Sequence, residues 1–513
     1  MIQLRPYQKE LVENIRKSWK KGNKHVIMQL STGGGKCLGK DTPILMYDGS
    51  IKLVQDVIVG DILMGDDSTP RNVLSTCTGK ETLYKVIPVK GDSFICNESH
   101  IISLKTNSKT SIYEKGDVVD VCIKDYLNWS VTQKHCAKLF RVGVEFEHHD
   151  TPIDPWLLGI WLAEGQKHDG GPILFINSLD TEIIDELSKY STSVKDDNDR
   201  GTCKRVSLGT IGAAKNPFRE EFRKCLSGKD VFICNEYKIN SRTNRLRLLA
   251  GILDGDGYVH HNHHEICTKF KTLSDDILFL ARSLGMAAYM HIKYVNEVPY
   301  YRITISGELS DIPHILTRKK CHKREQIKDA LCTGFSLENI GIGDYYGFEI
   351  NGNSRFVLGD FTVTHNTVIF SYIAQKSAAK GSKILVLTHR DELLSQTSGT
   401  LVDFGLSPKL INSKVKHPAD GLLFVGMTGT LANRLKKEEW RKWYESIDLV
   451  IIDELHEQQF NWIFDNALTK SKFVLGVSAT PKRIGNQRQL SDDYDDMVLG
   501  PDTQELINMG YLV

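Results

Sequence analysis

Cysteine is missing from both ends of this chain: all eleven cysteines lie between Cys37 and Cys332, and no two are spaced C-x-x-C. An odd count without close pairs argues against a disulfide framework and a zinc ribbon. The uneven distribution also sets the middle of the sequence apart from its flanks. No apolar run approaches the roughly 20 residues that a bilayer span needs, and Met1-Ile2-Gln3-Leu4-Arg5-Pro6 lacks the apolar core of a signal peptide. A cytoplasmic protein with no membrane partner is expected. An excess of one charge is lacking too: the formal net charge is +1, so any nucleic-acid surface has to be a local patch. What is present, 41% hydrophobic and 25% charged residues over 513 positions, suits a soluble globular protein of roughly three or four domains.

Near the start, an amphipathic stretch with Leu11, Val12 and Ile15 precedes a buried-strand run, His25-Val26-Ile27-Met28-Gln29-Leu30. Ser31-Thr32-Gly33-Gly34-Gly35-Lys36 follows, in the strand–glycine–lysine order of a phosphate-binding loop, whose backbone N–H groups and lysine hold phosphate. A Ser or Thr should come next to hold magnesium, but Cys37 stands there. The missing piece lies far downstream at Thr367, which opens the apolar stretch Thr367-Val368-Ile369-Phe370. Joining Lys36 to Thr367 restores S-T-G-G-G-K-T. The strands expected after it are Lys383-Ile384-Leu385-Val386-Leu387, Leu449-Val450-Ile451-Ile452 ending in Asp453-Glu454-Leu455-His456, and Phe473-Val474-Leu475-Gly476-Val477 ending in Ser478-Ala479-Thr480.

These joined flanks, 1–36 and 367–513, resemble the first RecA-like domain of superfamily 2 helicases, which implies an α/β domain with a parallel sheet. The resemblance implies that Gln8 reads adenine. Thr32, Gly33, Gly35, Lys36 and Thr367 would hold ATP and Mg2+, with Asp453 organising the metal. Glu454 would activate water, and Ser478 and Thr480 would couple hydrolysis to DNA movement. It also implies a second RecA-like domain as partner. Leu30 stands where the stricter loop pattern has its first glycine.

The edges of the intervening segment carry chemistry of their own. Cys37 can attack its preceding carbonyl, and a thiolate is a strong nucleophile near neutral pH. Asn366 can cyclise onto its own carbonyl, His365 can protonate that peptide bond, and Thr367 offers a hydroxyl as acyl acceptor. Singly, each residue is more often structural; together they bound the very segment whose deletion repairs the loop. With Cys37-Leu38-Gly39, Phe94-Ile95-Cys96-Asn97-Glu98-Ser99-His100, Tyr345-Tyr346-Gly347-Phe348 and Val363-Thr364-His365-Asn366, segment 37–366 resembles inteins. That implies an all-β Hint splicing domain, 37–150 with 331–366, working without a cofactor. His100 would be the proton donor at the first junction and Asn97 a hydrogen-bond partner, while the Asp often found at the Gly347 position is missing.

Within 151–330, Trp156-Leu157-Leu158-Gly159-Ile160-Trp161-Leu162-Ala163-Glu164-Gly165 and Leu248-Leu249-Ala250-Gly251-Ile252-Leu253-Asp254-Gly255-Asp256-Gly257 form a weak repeat of apolar helices ending in a carboxylate. Small residues at Gly159 and Gly251 would let the helices pack closely and bring Glu164 and Asp256 side by side. These motifs resemble LAGLIDADG homing endonucleases, α+β proteins that cut DNA with Mg2+ held by the paired carboxylates. Lys269 or Lys271 is a candidate auxiliary lysine, although a solvated lysine is the plainer reading. His260, His261, His263 and His264 are expected on a solvated or DNA-facing loop. The rivals to a splicing precursor are a helicase-like ATPase with a permanent regulatory insertion and a DNA endonuclease whose splicing has decayed.

Overall fold

The computed structural model describes residues 6–29, 37–109, 114–197, 201–209, 215–323, 328–353, 355–365, 370–388, 394, 397–398, 401, 406–453, 455, 458–478 and 488–500. No helix among them is long and apolar enough to cross a membrane.

The two flanks share one sheet. His25–Gln29, with Val26, Ile27 and Met28 all buried, lies between Phe473–Ser478 and Asp496–Leu499, parallel to both. The full order of seven strands is Lys409–Ile411, Leu423–Met427, Ile384–Thr388, Leu449–Asp453, Phe473–Ser478, His25–Gln29, Asp496–Leu499. Every pairing in it is parallel. Such a sheet is covered on both faces, so its strands are apolar throughout. Ile27, Leu385, Leu387, Val450 and Ile452 pack on one side with Trp440 and Tyr444. Val26, Met28, Ile384, Val386 and Ile451 pack on the other with Leu11 and Ile15 of the helix Pro6–Lys20.

Between the flanks lies a β-rich body. Its long strands Pro70–Pro88 and Phe335–Ile350 pair antiparallel, and Leu38–Gly39 fits between Phe335–Ile350 and Phe94–Asn97. A second sheet runs Cys332–Thr333, Ala137–Phe140, Ile101–Thr106, Val363–His365, Arg355–Val357, with Val118–Cys122 beside Ile101–Thr106. Val86, Ile102, Leu104, Val121, Leu139, Phe348 and Phe356 share its core. The chain leaves this body after Phe140 and returns at Cys332, directly opposite.

The excursion folds as helices and sheets around Pro155–Glu164 and Arg242–Asp256. Asp154 caps the first helix by accepting the Trp156 N–H, and Pro155 stands where a missing N–H costs nothing. That helix is apolar around its circumference and buried from Pro155 to Leu162, as a central helix must be. Two antiparallel sheets flank the pair: Ile173–Asn177, Cys203–Leu208, Ser191–Asp197, and Tyr258–His260, His263–Thr268, Val298–Ser306, Ala287–Val295. Helix Lys271–Ser283 follows the first hairpin of the second of these sheets, Tyr258–His260 with His263–Thr268.

Cys225 and Cys234 form a disulfide, contrary to the expectation drawn from cysteine spacing. The short hairpin Leu226–Ser227/Asp230–Val231 folds the intervening residues back and brings the two cysteines together. Two buried arginines join this body to the β-rich one. Arg141 pairs with Asp360 at 3.1 Å and reaches the Tyr289 hydroxyl at 3.4 Å. Arg245 donates to the carbonyls of Val144 and Asn240 and to Ser283 Oγ, all within 2.8 Å.

Candidate functional site

At the first junction, Cys37 is buried and its backbone is held twice by Asn97. The Cys37 N–H donates to Asn97 Oδ1 at 3.0 Å, and the Asn97 N–H donates to the Cys37 carbonyl at 3.1 Å. Glu81 decides which way the Asn97 amide points: it accepts from Asn97 Nδ2 at 2.5 Å and from Ser99 Oγ at 3.1 Å, leaving the oxygen for Cys37. Asn97 thereby supplies the hydrogen-bond acceptor at the first junction. Cys37 Sγ lies 3.6 Å from Cys77 Sγ, across from Gly347. A Cβ at Gly347 would strike the Cys37 sulfur and sit 2.9 Å from that of Cys77. A side chain at 347 would have to push one of these thiols aside, and the Asp often found at this position is absent.

The second junction approaches the same place. Val363–His365 pairs with Ile101–Thr106, setting Thr364 opposite Ile102 and His365 opposite Ile101. His100 Nε2 meets Thr364 Oγ1 at 2.6 Å. Both histidines are buried, and His365 Nε2 is 3.9 Å from the carboxylate of Asp120. Burial pushes the Asp120 carboxyl up, but His365, Arg355 and the Ser103 hydroxyl outweigh it and hold it below its ordinary range. Asn366 and Thr367 lie outside the described residues.

In the excursion, the two motif helices touch backbone to backbone. A Cβ at Gly159 or Gly251 would sit 3.0 Å from the other glycine's Cα and strike the facing helix's carbonyl oxygen. Their C-terminal ends therefore emerge together, with Glu164 half-buried and Asp256 reaching solvent. Desolvation in the groove, then the like charge of Asp256, pushes the Glu164 carboxyl up to about 7. Desolvation also raises Asp256 against the pull of Lys167 and Lys319. These two lysines cap the helix ends: Lys319 Nζ donates to the carbonyls of Leu253, Asp254 and Gly255, and Lys167 Nζ to those of Trp161 and Gly165. Desolvation brings Lys167 down to about 8.

The candidates Lys269 and Lys271 sit differently. Lys271 pairs with Asp275 one turn along its own exposed helix face, and Lys269 lies over the Phe270 ring. The expectation for the histidine cluster needs correcting at one position. The four residues belong to a hairpin, Tyr258–His260 with His263–Thr268, turning through His261 and Asn262 at positive φ. Strand alternation sends His264 inward. It is fully buried, 3.1 Å from His314 Nε2 and 3.5 Å from Cys321 Sγ, and desolvation drives its pKa down to about 3, so it is neutral.

In the shared sheet, Gln29 ends its strand opposite Ser478, and Asp453 ends the neighbouring one opposite Val477. The carboxyl ends of three adjacent strands thus line up where the chain enters residues 30–36. Gln8 lies within the helix Pro6–Lys20. Its side chain, that of Asp453, and residues Thr32, Gly33, Gly35, Lys36, Glu454 and Thr480 fall outside what is described.

Comparison with known proteins follows these three bodies. Residues 37–149 match the family described as Hom_end-associated Hint, and 237–330 the family Homing endonuclease. The family Type III restriction enzyme, res subunit, matches 1–39 and then resumes at 362–483. The insert is an intein with an embedded homing endonuclease, set in a helicase-like domain. Among curated relatives, the replicative DNA helicase DnaB of Mycobacterium intracellulare is 24% identical over 59% of this chain and 52% of its own. The homothallic switching endonuclease of Saccharomyces cerevisiae is 23% identical over 40% of this chain and 42% of its own. The chain thus spans about half or less of these relatives. A solved mesophilic variant of the homing endonuclease I-DmoI aligns with 30% of this chain and 89% of its own at 16% identity, TM-score 0.22.

Several residues now surrounding the intein's junctions and the endonuclease carboxylates were not singled out from sequence. Glu81, Cys77 and Asp120 belong to no recognisable motif, and Lys167 and Lys319 look like surface lysines until the helix ends are placed. The one available signal was Lys167, which follows the first motif's carboxylate by less than a turn.

Proposed function

We propose that the chain is a splicing precursor: segment 37–366 excises itself and joins Lys36 to Thr367. Supporting this reading is the convergence of Cys37, Asn97, His100 and His365 on the single stretch 97–101, while the flanks already share one sheet. Cys37 Sγ attacks the Lys36 carbonyl, converting amide to thioester, with His100 as proton donor to the departing nitrogen. The Thr367 hydroxyl then takes the acyl group, cyclisation of Asn366 frees the insert, and the remaining ester rearranges to an amide. All steps are intramolecular and need no cofactor. The splicing domain comprises 37–150 and 331–366, the endonuclease 151–330, and the spliced host domain 1–36 with 367–513. Asn366→Ala tests it: the variant should retain the insert yet release residues 1–36 when treated with an external thiol. No thiol-dependent release would contradict the reading.

The excised intein is proposed to cut DNA. Glu164 and Asp256 make an open pair, and no cluster of three or more metal-ligating side chains suited to an ion occurs among the described residues. That donor set fits Mg2+, which binds through one or two carboxylates and completes its shell with water and phosphate. Bound there, the ion would activate water and stabilise the leaving oxygen. Glu164 and Asp256 would hold it, while Lys167 and Lys319 offset their mutual repulsion. The ligated host is proposed to be a RecA-like, ATP- and Mg2+-using helicase domain acting on DNA with a second RecA-like domain. Lys36, Thr367, Asp453 and Glu454 would then be reunited in one site.

A further inference from the structure

The release step needs a proton at the Thr367 nitrogen, and His365 is the group beside that bond. No side chain at position 347 can steady this histidine, because Gly347 has none. The strand Val118–Cys122 supplies a carboxylate instead. Asp120 faces Ser103 across the ladder, accepts the Ser103 hydroxyl at 2.5 Å with one oxygen, and turns the other toward Arg355 and His365. Arg355 donates to that oxygen at 2.6 Å, and His365 Nε2 lies 3.9 Å from it. Arg355 and His365 are themselves direct cross-strand partners, so the arginine stands beside the ring it would otherwise repel. The carboxylate is almost fully buried, where its field is little screened.

We infer that Asp120 is the positioning residue for His365 in the C-terminal step, holding the imidazole in place and favouring its protonated form next to Arg355. This deepens, and rests on, the splicing reading above. In the step itself, Asn366 Nδ2 bonds to its own carbonyl carbon and the C–N bond to Thr367 breaks. Nδ2 loses a proton and the Thr367 nitrogen gains one, so no proton is consumed overall. His365 delivers that proton. Among the described residues, the charged and titratable groups facing it include Asp120 from Val118–Cys122, Arg355 from Arg355–Val357, and His100, which reaches its strand through Thr364. Replacing Asp120 by Asn removes this anion and leaves Arg355 facing the ring. An opposite charge at this range moves a titration by about 1–3 pH units.

The test follows both cleavages in the full chain as a function of pH. Asp120→Asn should keep thiol-induced release of residues 1–36 and slow Asn366 cyclisation at neutral pH by about tenfold or more. The alkaline fall of its cyclisation profile should move at least about one unit toward acid, and Asp120→Glu should recover part of the rate. The double variant Asp120→Asn/Arg355→Met removes the unpaired buried cation, so it should regain thermal stability without regaining the unmutated cyclisation rate. Cyclisation by Asp120→Asn with an unchanged rate and pH profile would overturn the role, as would full recovery of rate in the double variant. If the unmutated chain releases nothing at either junction, the splicing reading itself fails and takes this role with it.

Discussion

Gly347 makes the chemistry of the first junction depend on a missing atom. Its Cα faces two sulfurs, and a methyl group there would displace Cys37 from the position fixed by Asn97. Because misplacement by about 1 Å can cost about 100-fold in rate, Gly347→Ala should slow thiol-induced release of residues 1–36 by at least about tenfold, as read from gel or mass time courses. An unchanged rate would mean that Cys37 has slack the packing does not suggest. Glu164 offers a second single-residue test. With a chelator present, Glu164→Gln should raise the melting temperature of the excised insert, because it removes one of two like charges in a desolvated groove. The same change should abolish Mg2+-dependent cleavage of DNA carrying the uninterrupted loop-coding site, and chelator alone should do so in the unmutated protein.

Secondary-structure elements show what could and could not be read from the sequence. The two motif helices and the apolar strands were legible because their signals are local: a run of apolar residues, a glycine pair at the helix contact. Asp120 was not legible, since its surroundings come from strands at 101–106, 363–365 and 355–357 that line up only in the folded sheet. His264 was misread for a related reason. Four clustered histidines look solvated, but a hairpin alternates its side chains and the inward one is absorbed by His314 and Cys321. The glycine contact, by contrast, makes a firm prediction: Gly251→Val pushes a side chain into the Trp156 carbonyl and should cost about 1–3 kcal/mol in urea unfolding of the insert. A neutral result would mean the helices separate more readily than their backbone contact implies.

Across the whole molecule, three bodies share one chain without sharing one core, and buried arginines link the β-rich body to the excursion. Arg141 supplies one such link by reaching Tyr289, and its own partner within the β-rich body is Asp360, both side chains of that pair being almost fully buried. Asp360→Ala would leave Arg141 uncompensated and should destabilise the insert by about 3–5 kcal/mol. Asp360→Ala with Arg141→Met should recover most of that, measured by the same unfolding series. At this scale the central claim is that the insert leaves and the flanks become one continuous domain. Intact-mass and peptide analysis of the freshly purified chain tests it most directly. The account predicts a protein of residues 1–36 joined to 367–513 by a Lys36–Thr367 amide bond, together with a free 37–366 ending in a cyclised Asn366. A chain that persists at its full mass, with Lys36 still bonded to Cys37 after prolonged incubation under reducing conditions, would contradict it.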